Sequence, residues 1–243
     1  MKPVKLLNRI KRKWMKLRLQ PIRVYCLHHV SDTYDASYMW ECDWTNTDVL
    51  KQRIIDLQKK GYTFISLPEA HEMLKYDWFR SKRYAVLTAD DGFRTLINIL
   101  PWLIEHMIPI TLFVNPKYII DGGIGENVLN RLHQSGGTIS NAELYLNMVD
   151  INAFQSPLVT YAYHGYEHKD ESKIDNTVFI KNLEECIESM HLKFPNIIQY
   201  YAHPYGITKA GNDDILCNKG ITPIYINGKK NYAYNGYIDR ELI

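Results

Sequence analysis

Short runs of β-branched and aromatic residues alternate along this chain with longer stretches of helical periodicity. The apolar runs fall at 24–30, 63–67, 84–89, 110–114, 158–164, 198–203 and 221–226, and each predicts a strand. Between them, apolar spacing predicts helices over about 48–60, 68–76, 93–107, 126–134, 141–149, 177–192 and 208–219. In the first of these Leu50, Ile54 and Leu57 share one face, and Thr47 or Asp48 can cap its start. Strand then helix, repeated about seven times, predicts an α/β fold with a parallel sheet, either closed into a barrel or doubly wound. No Pro/Gly/Ser-rich linker divides the chain, so one domain is expected over 23–243, preceded by a distinct segment over 1–22. Residues 121–141 hold Gly122, Gly123, Gly125, Gly136 and Gly137 and read as a loop excursion over one face.

Composition narrows the class. At 243 residues, 46% hydrophobic and 23% charged, the chain has the profile of a globular protein and excludes collagen-like, coiled-coil and disordered classes. Its 29 Lys+Arg against 27 Asp+Glu give a net charge of +2, which argues against a nucleic-acid coat. That balance hides an asymmetry. Residues 1–23 hold nine basic side chains and no acid, leaving 20 basic against 27 acidic, or −7, in the remainder. The basic segment has no apolar run longer than two residues, too short for a signal peptide, and nowhere do 18 apolar residues follow one another. Cys26, Cys42, Cys186 and Cys217 form no C-x-x-C pair, so reduced thiols and residence in the cytoplasm are expected. His71, His106, His133 and His191 fall in expected helices or loops and read as surface residues.

Both α/β architectures place their active sites at the carboxyl ends of the strands. Here those ends are polar: Thr88-Ala89-Asp90-Asp91-Gly92-Phe93, His164-Gly165-Tyr166-Glu167-His168, Ala202-His203-Pro204-Tyr205-Gly206, and His28-His29. Carboxylates and imidazoles converging on one rim suit a divalent-metal site with acid and base groups beside it. Adjacent acids repel, and a cation or a proton has to neutralise part of their charge. An ordinary Asp-Asp-Gly turn fits the same letters. The i, i+4 spacing of His164 and His168 puts two imidazoles on one side of a turn, which with Asp91 makes a two-histidine, one-carboxylate set; surface or capping roles fit that spacing as well.

These segments, in this order and with the scaffold between them, resemble the polysaccharide deacetylase family (carbohydrate esterase family 4). Its T-F-D-D-G turn is matched by Thr88-Ala89-Asp90-Asp91-Gly92, its H-x-x-x-H pair by His164 and His168, and its A-x-P-Y-G segment by Ala202-His203-Pro204-Tyr205-Gly206. Gly61-Tyr62-Thr63-Phe64-Ile65-Ser66-Leu67 and 108–114 are similar to the family scaffold, so the resemblance covers roughly 22–243. It implies a distorted, TIM-barrel-like (β/α) barrel of about seven parallel strands and metal-dependent removal of N-acetyl groups from a sugar. By position, Asp91, His164 and His168 are then the ligands of a divalent metal, usually zinc. Asp90 is the general base, and Tyr205 supplies a backbone N–H to the oxyanion.

Three departures stand out. No His follows His203, so the general acid is expected in Leu27-His28-His29-Val30, which is similar to the Y-H-x-V strand of circularly permuted members. That makes His28 the acid and His29 its one-residue alternative beside the substrate, because a register slip exchanges the two faces of a strand; a plain polar strand end fits too. Ala202 replaces the usual Arg that orients the base, and Arg240 resembles a C-terminal Arg of Ala-type members, with Arg94 the local alternative. Gly165 replaces the usual Ser or Thr that holds the loop. His203, Pro204 and Tyr166 are the further candidates for substrate contact, and the Tyr cluster around them suits either sugar faces or strand packing.

The resemblance gives residues 1–22 a possible purpose. Leu6, Leu7, Ile10, Trp14 and Leu17 against Lys and Arg at helical spacing suit a helix lying on an anionic inner membrane face, or equally one packed on the barrel. The resemblance implies an N-acetylated carbohydrate or glycolipid as substrate, peripheral membrane contact is expected through residues 1–22, and no nucleic acid is expected as a partner. A carbohydrate-binding relative without catalysis, or a hydrolase of another amide C–N bond, are the competing readings.

Overall fold

The computed structural model describes residues 19–76 and 80–243. The amphipathic segment expected over 1–22, with its membrane contact, therefore lies almost wholly outside the described residues. Among those described, no helix is long and apolar enough to cross a membrane.

The seven expected strands are β1 (Ile22–Leu27), β4 (Tyr62–Phe64), β5 (Arg83–Ala89), β6 (Ile110–Val114), β7 (Val159–Tyr163), β8 (Ile197–Ala202) and β9 (Thr222–Tyr225), with the small pair β2 (His29–Val30) and β3 (Trp44–Thr45) apart from them. The main sheet runs β10-β9-β8-β7-β6-β5-β1-β11, with β4 also on β5, and every pairing in it is parallel. Its two outer members, β10 (Ile238–Asp239) and β11 (Glu241–Leu242), are separated in the chain by Arg240 alone. Asp239 pairs with Tyr225 of β9, and Glu241 pairs with Tyr25 of β1. One C-terminal run thus spans the gap between the two edges and nearly closes the sheet into a barrel, which decides between the two expected architectures. The run escapes a hydrophobicity reading because three of its five residues are charged. Arg23 clasps it from outside, with bonds of 2.6 and 2.5 Å to Glu241.

Strand alternation builds two layers of core. Leu27, Leu87, Leu112, Tyr161 and Tyr201 face outward to helix residues such as Leu50, Ile54, Leu103 and Leu183. Val24, Val86, Phe113, Ala162, Ala202 and Ile224 fill the interior. Cys26, Thr88 and Asp90 continue the interior parity toward the carboxyl ends of the strands.

Several expected elements are shorter or split. The helix expected over 93–107 is a 3₁₀ turn (Arg94–Asn98) followed by a helix (Leu100–Glu105), because Pro101 has no N–H to donate and fits only a first turn. That expected over 141–149 is two helices, Asn141–Leu144 and Met148–Ala153, and the last begins only at Asn212, after Gly211 at φ 93°. His71 is not a surface residue: it shares the buried face of helix Leu67–Tyr76 with Leu67, Ala70 and Leu74 and bonds the Tyr200 hydroxyl at 2.9 Å. Burial pushes its pKa down to about 4, so it is neutral at physiological pH.

Candidate active site

The strand ends meet around a cavity of about 650 Å³ lined by His28, Asp90, Asp91, His164, His168, Tyr205 and Arg240 among others. The turn after β5 separates its two acids. Asp91 and Gly92 are both left-handed (φ 67° and 70°), and a Cβ on Gly92 would press at 3.1 Å on the side chains of Val114 and Ile119. Asp90 therefore continues the strand into the barrel, while Asp91 swings toward the loop after β7.

Asp90 is 4% exposed, and Arg240 only 1%. Both carboxylate oxygens accept from the guanidinium, at 2.6 and 2.7 Å, and Thr88 Oγ1 accepts at 3.2 Å. The Arg240 guanidinium also lies over the Phe113 ring, 5.1 Å from its centre. Burial opposes ionisation of Asp90, but the charge and hydrogen bonds of Arg240 outweigh it, so the carboxyl sits below its ordinary range. Arg94, the alternative partner, is committed to Asp150 at 2.9 Å instead.

Asp91 Oδ1 lies 3.2 Å from His164 Nε2 and 3.1 Å from His168 Nε2. His164 Nδ1 donates to the Ala202 carbonyl at 2.8 Å, which fixes the ring and, in the neutral tautomer, leaves a lone pair on Nε2 facing the carboxylate. Lone pairs from three donors within 4.8 Å of one another repel unless a cation joins them, and two imidazoles with one carboxylate are ligands that suit a divalent metal such as zinc. The residues present fit such an ion. Cys26, His28 and Asp90 also bring donor atoms within 4.8 Å, but both Asp90 oxygens belong to Arg240 and burial pushes the Cys26 thiol well up, so that group is a poor second cation site.

The loop bearing the histidines is held by residues that sequence reasoning missed. The Asn115 amide donates to the carbonyls of His164 and Gly165, and Asn182 Oδ1 accepts from Tyr166 N at 3.0 Å. Asn115 directly follows β6, so the strand-end rule that found the other residues would have found it too. Gly165 is left-handed (φ 75°), and a Cβ there would lie 3.2 Å from both Asn182 Oδ1 and the Tyr201 hydroxyl. The loop therefore needs no Ser or Thr at 165. Gly165→Ser is expected to cost about 1–3 kcal/mol, read as a lower unfolding midpoint; an unchanged or raised midpoint would contradict this account of the loop.

His28 borders the cavity, with Nδ1 4.0 Å from Asp43 Oδ1 and no hydrogen bond to it. His29, expected beside the substrate, points the other way: it is 1% exposed and stacked on Phe93 at 3.8 Å, and burial pushes its pKa down to about 3. The strand breaks at His28, between β1 and β2, and the alternation puts the two histidines on opposite faces. Two other expected substrate contacts also lie off the cavity. Pro204 is buried against Gly165, and the Tyr166 hydroxyl bonds Asp121. His203 borders the cavity, but both of its ring nitrogens face carboxylates, Glu171 at 2.7 Å and Asp213 at 3.0 Å, leaving none for a substrate. Tyr205 is 47% exposed, left-handed (φ 59°), and sets its ring edge-on to His168 at 4.5 Å.

A nearly closed parallel barrel whose rim gathers a guanidinium-paired acid and a two-histidine, one-carboxylate set has the construction of a hydrolase. The family model described as polysaccharide deacetylase matches residues 80–224, and the chain belongs to that family. Family membership supports de-N-acetylation of polysaccharide and makes the chain a deacetylase hydrolase. Among solved structures, IcaB from Ammonifex degensii is similar at 19% identity, a TM-score of 0.72 and 92% coverage of each chain. A de-N-acetylase from Aggregatibacter actinomycetemcomitans matches at 17% identity and a TM-score of 0.72, over 92% of this chain and 95% of its own. The Streptococcus pyogenes deacetylase PplD, in complex with acetate, matches at 16% identity and a TM-score of 0.73, over 92% and 91%. At these identities the likeness shows the fold. No curated protein sequence matches.

Proposed function

We propose that this chain is a metal-dependent deacetylase that removes N-acetyl groups from a sugar in surface polysaccharide or glycolipid assembly, with zinc held by Asp91, His164 and His168. The observation that carries the reading is the pairing of two neighbours: a buried Asp90 kept ionised by Arg240, and a three-donor set one residue away. Held by Asp91, His164 and His168, a divalent ion would supply the Lewis-acid charge that polarises an amide carbonyl and acidifies a water molecule. Asp90 stays outside the set and accepts the water's proton as a general base. His28, which lines the same cavity and whose Nδ1 has no hydrogen-bond partner, donates a proton to the departing amine. Tyr205, beside His168, offers its backbone N–H to the developing oxyanion.

The departures from the usual motifs argued for a carbohydrate-binding relative without catalysis. On this reading each has a replacement: Arg240 for the Arg missing at 202, Asn115 and Asn182 for the hydroxyl missing at 165, and His28 for the missing C-terminal His. Metal analysis tests the reading. One equivalent of zinc per chain is expected, lost in His168→Ala, with activity lost to a chelator and restored by zinc. Full activity in chelator-treated protein would contradict it.

A further inference from the structure

We propose that His203 is a positioning residue, a charged cross-link that fixes the loop carrying His168 against the turn carrying Tyr205. The inference rests on the deacetylase reading and adds a residue to its machinery. His203 Nδ1 lies 2.7 Å from Glu171 Oε2, and Nε2 lies 3.0 Å from Asp213 Oδ1, with the ring fully enclosed. A neutral imidazole has one N–H and would turn its remaining lone pair on a carboxylate. Two donors are needed, so the ring between two ionised acids is an imidazolium.

The acids come from different parts of the chain. Glu171 opens the 3₁₀ turn Glu171–Lys173, three residues beyond His168. It is 2% exposed, and its carboxylate also accepts from the Tyr201 hydroxyl at 2.6 Å and from Asn212 Nδ2 at 3.3 Å. Asp213 lies in the first turn of helix Asn212–Asn218, is held by the Tyr225 hydroxyl, and is partly exposed.

His203 itself precedes the turn Pro204–Gly206, where Gly206 N donates to the His203 carbonyl at 2.9 Å. Inside that turn Tyr205 holds a left-handed backbone that an L residue adopts only at a cost, so the ends of the turn have to be fixed from outside. The contacts close a circuit: the His168 ring meets Tyr205, Tyr205 is tied through the turn to His203, His203 grips Glu171, and Glu171 returns along the chain to His168. The separation between a metal-binding histidine and the oxyanion donor is set by this circuit. Misplacement of reacting groups by about 1 Å can cost 100-fold in rate.

The test compares wild type with His203→Gln, whose amide is uncharged and cannot donate to both acids with imidazole geometry. In the metal-free proteins, hydrogen exchange is followed in peptides covering 164–175 and 203–212. In the zinc-loaded proteins, kcat and KM for acetate release from an N-acetylhexosamine oligosaccharide are measured. Faster exchange in both segments together is expected, with kcat lowered about 10–100-fold and KM within about threefold. Exchange raised at 203–212 alone, or a lower unfolding midpoint with unchanged kcat, would overturn the proposal. Should His203→Gln fail to fold, Asp213→Asn removes only the partly exposed arm, and the same paired response is expected at smaller size; no response there overturns it equally. If wild type released no acetate, the deacetylase reading would fail, while the paired exchange response would still decide the cross-link.

Discussion

An Arg240→Met protein is expected to lose about 3–5 kcal/mol of stability and about 100-fold in kcat/KM at neutral pH, because the change leaves Asp90 buried without its guanidinium partner. In the native protein burial works to raise the Asp90 pKa, and the paired guanidinium reverses that balance. Without Arg240 the largest force against burial is gone, and only the pull of His164 and His28 remains. The carboxyl then holds its proton to higher pH, so the ionised base becomes scarcer at neutrality and the acid limb of the kcat/KM profile moves to higher pH. The stability sign follows from linkage. With the folded-state pKa depressed, the native pair stabilises the fold above the unfolded carboxyl value of about 4 and loses that contribution as pH falls through the lower folded value. In the variant the folded-state pKa is raised, so Asp90 is destabilising at neutral pH and the deficit shrinks on acidification. Thermal unfolding and rate profiles across pH check both halves. An acid limb that stays in place would show that Arg240 does not control the base.

Asp90→Asn is expected to lower kcat by about 10³-fold while zinc content stays near one per chain. The amide keeps the shape of the side chain and can still accept one bond from Arg240, but it cannot take a proton. The metal-binding donors Asp91, His164 and His168 are untouched. Single-turnover acetate release alongside metal analysis checks this. A variant with zinc bound and activity within threefold of wild type would remove Asp90 from the base role.

Much of this site was readable from the rule that polar residues ending apolar runs gather at one rim. Asp90, Asp91, His164, His168 and Tyr205 were found that way because each sits within a few residues of a clear hydrophobic strand. What the rule cannot supply is partnership across the barrel. Arg240 reaches Asp90 only because five mostly charged residues bridge the sheet edges, and their hydrophobicity gives no strand signal. Glu171 and Asp213 lie in a short 3₁₀ turn and a short helix, and their meeting on His203 depends on how two loops fold over one another. The choice between His28 and His29 was a question of parity: the strand break sends His29 against Phe93 and leaves His28 at the cavity. Gly165 is legible only in space, where a Cβ would press at 3.2 Å on Asn182 Oδ1 and the Tyr201 hydroxyl.

On the proposed function, amide hydrolysis takes place at the cavity bounded by Asp90, Asp91, His164 and His168. Its most direct test is to incubate the zinc-loaded protein with an N-acetylhexosamine oligosaccharide and quantify acetate and free amine together. Equal amounts of both are expected, rising with time in wild type and nearly absent in Asp90→Asn. Zinc-loaded wild-type protein that binds such sugars yet releases no acetate from any of them would contradict it.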